Sequence, residues 1–264
     1  MTERQPQFLE VGEGAHRRRI AHIAEPASKP GGTGLLWLIG LKSDMASTKA
    51  LALAEWTKAR GLGFTRFDYS GHGQSGGDFE AATVGDWLEE ATAIFKETTR
   101  GPQILAGSST GAHIALLLLR HLMSSDAKAA RRIKGLVLIA PAWDVTELIW
   151  NEIGAEARAE IMSNGVWHRP SDYDPKGYPI TRRFIEDGRM HLIATDPFDP
   201  GRPIDVLQGL EDRDVPAAYA RRLANVLRGD WVRYTEVADG EHRLSRPEDL
   251  ALLYQLIERQ VTGG

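Results

Sequence analysis

The sequence predicts an α/β protein: a mostly parallel central sheet, helices on both faces, and a small helical lid inserted late in the chain. Three observations predict it. Short, continuously apolar runs alternate with helical patterns along the chain, the rhythm of strands buried on both faces by crossover helices. The run Gln103-Ile104-Leu105-Ala106 passes through Gly107-Ser108-Ser109-Thr110-Gly111 directly into a helix that is apolar nearly all round from Ala112 to Leu119. The alternation stops between Pro141 and Pro203 and then resumes. A chain of 264 residues suits one α/β domain, residues 1–264, carrying a lid over residues 145–202.

In chain order, Phe8–Val11 and Arg19–Ala24 read as early antiparallel strands, with a proline- and glycine-containing turn from Pro26 to Gly34. Leu35–Ile39 is a buried strand ending in Gly40-Leu41-Lys42-Ser43-Asp44-Met45. An amphipathic helix spans about Ala50–Arg60 and stops at Gly61-Leu62-Gly63. Phe64–Asp68 is the next strand, followed by the glycine-rich loop Tyr69–Gly77 and a helix over Asp86–Thr98. After the central helix, Ile133–Ala140 is another buried strand. The lid region reads as helices over Val145–Ser163 and Ile180–Asp187 joined by polar, proline-containing pieces. Pro203–Leu207 and Trp231–Val237 are the last strands, with helices over Pro216–Leu227 and Pro247–Val261.

Composition narrows the function. Lys and Arg total 32 against 36 Asp and Glu, so the net charge of −4 leaves no electrostatic footprint for nucleic acid. The short basic run His16-Arg17-Arg18-Arg19 reads as the edge of a solvated strand. With no cysteine, disulfides, thiolate catalysis and cysteine-ligated metals are excluded, which favours a reducing compartment. Met1–Gln7 lacks the apolar core of a signal peptide, and no apolar segment reaches membrane-spanning length. These observations point to the cytoplasm.

The chemistry centres on Ser109. A G-x-S-x-G turn between strand and helix exposes its serine on a sharp bend, and the flanking glycines remove β-carbons that would crowd the neighbouring elements. A serine hydroxyl becomes a nucleophile when an imidazole takes its proton and a carboxylate orients that imidazole. His242, in Ala238-Asp239-Gly240-Glu241-His242 before the final helix, is the candidate base. Asp212, in the loop leaving the penultimate strand, is the favoured acid; Asp144, after the preceding strand, is the alternative, otherwise expected to cap the first lid helix. Asp214 is expected to make a local turn or cap contact. The oxyanion that forms on attack needs backbone N–H donors, expected from Leu41 and Thr110. Met45, Trp143, Trp150, Met162 and Trp167 are candidates for an apolar substrate pocket. His72 and His113 read as structural, His113 as a hydrogen-bonded core residue. No histidine shows metal-ligand spacing, and this chemistry requires no cofactor.

The chain resembles the α/β-hydrolases over nearly its whole length. Within them it is similar to the group containing the mitochondrial palmitoyl-protein thioesterase that also acts as a mycophenolic acid acyl-glucuronide esterase. The matching pieces are GLKSDMASTKA (Gly40–Ala50), FDYSGHGQSGG (Phe67–Gly77), GPQILAGSSTG (Gly101–Gly111), GVWHRPSDY (Gly165–Tyr173), GLEDRDVP (Gly209–Pro216) and DGEHRLSRPED (Asp239–Asp249). The chain departs from that group at Glu241, where aspartate is expected, and at Thr110, where the relative carries leucine. The resemblance implies Ser109, Asp212 and His242 as a catalytic triad with an oxyanion hole at Leu41 and Thr110. It also implies hydrolysis of acyl thioesters or activated esters, the substrate being a small molecule or an S-acylated protein. The rival readings are a short-chain carboxylesterase or lipase, a carbon–carbon bond hydrolase, and, from another class, a non-catalytic binding protein on the same scaffold.

Overall fold

The computed structural model describes residues 5–170 and 177–263. Its eight-stranded sheet has the spatial order β1-β2-β4-β3-β5-β6-β9-β10. In chain order these strands are β1 (Gln7–Val11), β2 (Arg18–Glu25), β3 (Gly34–Leu38), β4 (Gly63–Phe67), β5 (Gln103–Ser108) and β6 (Ile133–Ile139). A hairpin of β7 (Val166–Arg169) with β8 (Tyr178–Thr181) lies apart from the sheet, and β9 (Ile204–Gly209) and β10 (Val232–Val237) complete it. Only β2 runs against its neighbours; β4, β3, β5, β6, β9 and β10 are parallel in sequence across the sheet. The predicted parallel α/β sheet is therefore the observed one. Its central strands are buried throughout; β3 is an unbroken apolar run, whereas β4 also buries Thr65 and Arg66.

Helices α1 (Thr48–Ala59), α2 (Val84–Thr98), α3 (Thr110–Ser125) and the short α4 (Ala127–Ala130) link the first strands. Between β6 and β9 lie α5 (Val145–Glu152), α6 (Ala155–Asn164), the β7–β8 hairpin and α7 (Arg182–Gly188). After β9 come α8 (Ala217–Arg221) and α9 (Leu223–Val226), and α10 (Pro247–Thr262) follows β10. The helix expected over 145–163 is two, because the chain extends at Ile153 and restarts with Gly154 as the new N-cap. The helix expected over 216–227 is likewise two short ones. The β7–β8 pairing was not foreseen, and the Ser171–Tyr173 end of the GVWHRPSDY match lies outside the described residues, as do Met1–Arg4 of the N-terminal stretch.

One apolar cluster runs from the sheet into the residues between β6 and β9, taking in Ile149, Ile161, Ile180, Phe184 and Ile193 with Leu36, Leu116 and Leu138. The basic run at 16–19 is not simply a solvated edge. Arg17 pairs with Glu10 at the surface, but Arg18 is largely covered and pairs with Glu90, Asp86 and Glu89 of α2. Among the described residues no helix is long and apolar enough to cross a membrane.

Candidate active site

The carboxyl ends of β3, β5, β6, β9 and β10 converge on one rim, where ligands bind in parallel α/β sheets. Ser109 stands between β5 and α3 with φ 55° and ψ −119°, a left-handed conformation that is strained for a residue bearing a β-carbon. The bend is enforced by close packing. A β-carbon on Gly107 would lie 2.4 Å from Gly111 O, and one on Gly111 would lie 2.1 Å from Leu38 O. Backbone bonds fix the serine further: its N–H donates to Ile139 O at 2.8 Å, and its carbonyl accepts from Ala112 at 3.0 Å and Ala142 at 3.2 Å.

His242 arrives from the loop after β10. That loop is stitched to the end of β9, where Leu210 N–H donates to Val237 O and Glu211 N–H to Gly240 O, both at 2.9 Å. A β-carbon on Gly209 would lie 2.2 Å from Gly240 O, so only glycine allows this approach. His242 Nε2 lies 3.1 Å from Ser109 Oγ, and its Nδ1 lies 2.9 and 3.1 Å from the two Asp212 oxygens. Asp212 is buried, and its Oδ1 accepts the Asp214 and Val215 N–H groups at 2.9 and 2.8 Å. Gln208, itself anchored on Gly209 O and Val215 O, donates to Asp212 Oδ2 at 3.3 Å. With the carboxylate on Nδ1, the tautomer that carries the proton there leaves Nε2 as a base facing the serine.

Gly40, the residue before Leu41, lies against the serine: a β-carbon on it would sit 3.3 Å from Ser109 Cβ. Among the described residues neither Leu41 N–H nor Thr110 N–H has an acceptor. Asp144 is elsewhere. It adopts φ 50° at the start of α5, but its side chain does not cap that helix as expected. It accepts the Ile193 and Ala194 N–H groups at 2.6 and 3.0 Å and lies 3.5 Å from His113 Nε2. Asp214 makes its turn contact through its N–H, while its carboxylate reaches Arg169 of β7 at 3.7 Å.

The five residues expected to line an apolar pocket do not meet around one. Met45 is sealed against Ala21 and Ile23, because Arg66 holds its carbonyl at 2.6 Å and Asp68 its N–H at 2.6 Å. Trp143 is buried and stacks on Tyr219, whose hydroxyl donates to the Trp143 carbonyl. Trp150 packs beneath Arg158 and Arg189, Met162 is exposed, and Trp167 is half-buried on the hairpin. A small recess beside Leu41, about 10 Å³ in cavity volume, is lined instead by Phe79, Ala82, Trp87, Ile180 and Phe184 among others. With Leu41 they come from three separate stretches of chain. Their apolar character was legible, but their convergence was not.

Asp212, Asp214 and His242 offer ligand atoms within 4.8 Å of one another. A cation there would have to displace the backbone N–H groups and the imidazole that already occupy Asp212.

A parallel sheet with a strained serine elbow on its central strand and a histidine-bearing loop after its last strand defines the α/β-hydrolase class. The family model described as serine aminopeptidase, S33, matches residues 43–172. Palmitoyl-protein thioesterase ABHD10, mitochondrial, from Bos taurus is 30% identical over 97% of this chain and 84% of its own length. Among solved structures, a putative hydrolase from Agrobacterium vitis S4 is 39% identical with TM-score 0.93, over 97% of this chain and 98% of its own. Alpha/beta hydrolase domain-containing protein 10 from mouse is 28% identical with TM-score 0.85, over 98% and 99%. The chain belongs to the α/β-hydrolase family, in the group that contains the ABHD10 thioesterases.

Proposed function

We propose that the protein is a serine-dependent hydrolase of carboxylic esters and acyl thioesters with an apolar acyl group. The observation that carries this reading is the placement of His242 between Ser109 Oγ and the Asp212 carboxylate. Ser109 attacks the carbonyl while His242 Nε2 takes its proton, and Asp212 stabilises the imidazolium that results. The oxyanion is met by the N–H groups of Leu41 and Thr110, with the positive end of α3 behind Thr110. His242 then protonates an alcohol leaving group, a thiolate needing less help, and the acyl group remains on Ser109. Finally His242 activates water, which displaces the acid and restores the serine. Residues 145–202 act as the lid over this site, within a single domain, and the reading retains a cytoplasmic address.

The thioesterase name of the relatives supports S-acyl substrates, including S-palmitoyl proteins. A second reading, preference for short acyl groups, is favoured by the recess beside Leu41. Its cavity volume of about 10 Å³ falls far below the roughly 300–1,000 Å³ of pockets that enclose drug-sized ligands. Measuring kcat/KM over a C2 to C16 series of p-nitrophenyl esters and matched S-acyl thioesters separates the two. Rates that rise with chain length and favour thioesters support the depalmitoylating reading; rates that peak at short oxygen esters support the other. Activity that survives in S109A overturns both.

A further inference from the structure

We propose that His72 is a positioning residue for the oxyanion-binding loop, holding the Lys42 peptide so that the preceding Leu41 N–H faces the carbonyl attacked by Ser109. The inference rests on the reading of Leu41 as an oxyanion donor. His72 is buried in the glycine-rich loop after β4, in an aromatic enclosure with ring centroids 6.0 Å from Tyr69, 5.2 Å from Phe79 and 5.3 Å from Trp87. Both ring nitrogens are engaged. Nδ1 lies 3.1 Å from Ser70 O, and Nε2 lies 3.1 Å from the Lys42 backbone N. A carbonyl can only accept and a peptide N–H can only donate, so the partners dictate the tautomer: Nδ1 carries the proton and Nε2 is a bare acceptor.

What that acceptor holds is unusual. Lys42 has φ 57°, a conformation a lysine rarely adopts, and it follows Leu41 in the turn closed by Ser43 N–H on Gly40 O at 3.1 Å. The same segment grips the loop a second time, since Asp68 accepts Met45 N–H at 2.6 Å on one oxygen and Gln74 N–H at 2.8 Å on the other. The anchor is itself anchored: Ser70 N–H donates to Glu90 at 2.9 Å, and Glu90 pairs with Arg18 at 2.7 Å. A chain of contacts thus runs from α2 through Ser70 and His72 to the peptide beside Leu41. Neither a packing role nor a turn role alone requires a bare ring nitrogen at Lys42. The glycines make the approach possible: a β-carbon on Gly71 would lie 2.4 Å from Phe79 Cα, and one on Gly73 would lie 2.1 Å from an Asp68 oxygen.

Two substitutions separate the acceptor from the packing. H72F keeps an aromatic ring in the enclosure but removes the acceptor, and H72Q returns a carbonyl oxygen at about the reach of Nε2 without the ring. Expected for H72F is a fall in kcat of about 10–100-fold, the scale of a misplaced oxyanion donor, with KM little changed. Its affinity for a trifluoromethyl ketone, whose adduct with the serine carries the oxyanion, should fall by the same factor, and H72Q should recover most of both losses. An H72F enzyme with wild-type kcat, or one rescued no better by glutamine than by alanine, overturns the proposal. A readout on the wild-type protein covers an H72F that fails to fold: in histidine-labelled protein, 15N shifts should show His72 protonated at Nδ1 and bare at Nε2. The opposite tautomer refutes the bond to Lys42. S109A runs alongside; activity surviving there refutes the hydrolase reading, whereas full activity in H72F with none in S109A refutes only the role of His72.

Discussion

The histidine–aspartate pair His242–Asp212 and the pair His113–Asp144 use the same two residue types in opposite ways. In the first, Asp212 meets Nδ1 at 2.9 Å and Nε2 points at Ser109, with the imidazole about a quarter exposed. In the second, both Asp144 oxygens are occupied by the Ile193 and Ala194 N–H groups. His113 Nε2 lies 3.3 Å from His191 O and 3.5 Å from Asp144, and the ring is wholly buried. Burial holds the Asp144 carboxyl above its usual range and His113 down at about 3, both toward the neutral form. The second pair ties the chain returning toward β9 onto α3. An acid and an imidazole become a candidate base for a serine only where one nitrogen is oriented and the other is left facing a nucleophile and water.

The largest expected effects test the first pair. S109A and H242A should each lower kcat by at least about 10⁴-fold, since members of such a set act as a unit. D212N should cost about 10²–10⁴-fold, because an amide on Nδ1 no longer selects the tautomer that leaves Nε2 free. D144N should leave kcat/KM near wild type but destabilise the fold by about 1–3 kcal/mol, as one of two buried backbone donors loses its acceptor. A D144N enzyme as crippled as D212N, in side-by-side kinetics and thermal melts, would break the comparison and return Asp144 to candidacy as the acid.

Much of the sheet was legible because burial on both faces leaves an unbroken apolar signature, as in Leu35–Ile39 and Gly135–Ile139. The serine elbow was legible because glycine is the residue that survives where a β-carbon would lie 2.1 Å from another strand's carbonyl. Asp212 and His242 were legible as the acidic and imidazole residues of loops leaving the last two strands. The residues between β6 and β9 read less well. Their helices are short, and what stabilises them is contact with the core, so local pattern neither shows the break at Ile153 nor the pairing of β7 with β8. The apolar recess was missed for a related reason. Tryptophan and methionine mark a pocket and a core equally well, and only the fold decided that Met45 and Trp143 are sealed in the core while Phe79, Trp87 and Phe184, themselves mostly covered, border the small recess beside Leu41.

The smallest expected effect sharpens the contrast from the other side. His113 is held neutral by burial, against the His191 carbonyl beside its ring, which favours the proton, and with the charge of Arg120 opposing it. The unfolded chain takes up a proton there as pH falls through about 6.5, whereas the folded chain resists until about 3. The folded state is therefore fully favoured above pH 6.5 and loses stability as pH falls, by at most about 1.4 kcal/mol per pH unit from this group. His72, pushed down to about 4 by the same burial, adds in the same direction. Asp144, whose carboxyl is pushed up, acts in the opposite sense at more acid pH, and Glu90, pushed up to about 7 by burial, acts in that sense already near neutral pH, so His113 is read from the difference between wild type and H113Q. Removing the titrating ring with H113Q should lower stability at pH 7.5 through lost packing yet flatten the decline between pH 7 and 5.5. Thermal melts of both proteins across that window measure it: parallel declines would mean that His113 is not the buried neutral group the geometry describes, whereas a flatter H113Q curve identifies it as the member of the two pairs whose titration is read in stability alone.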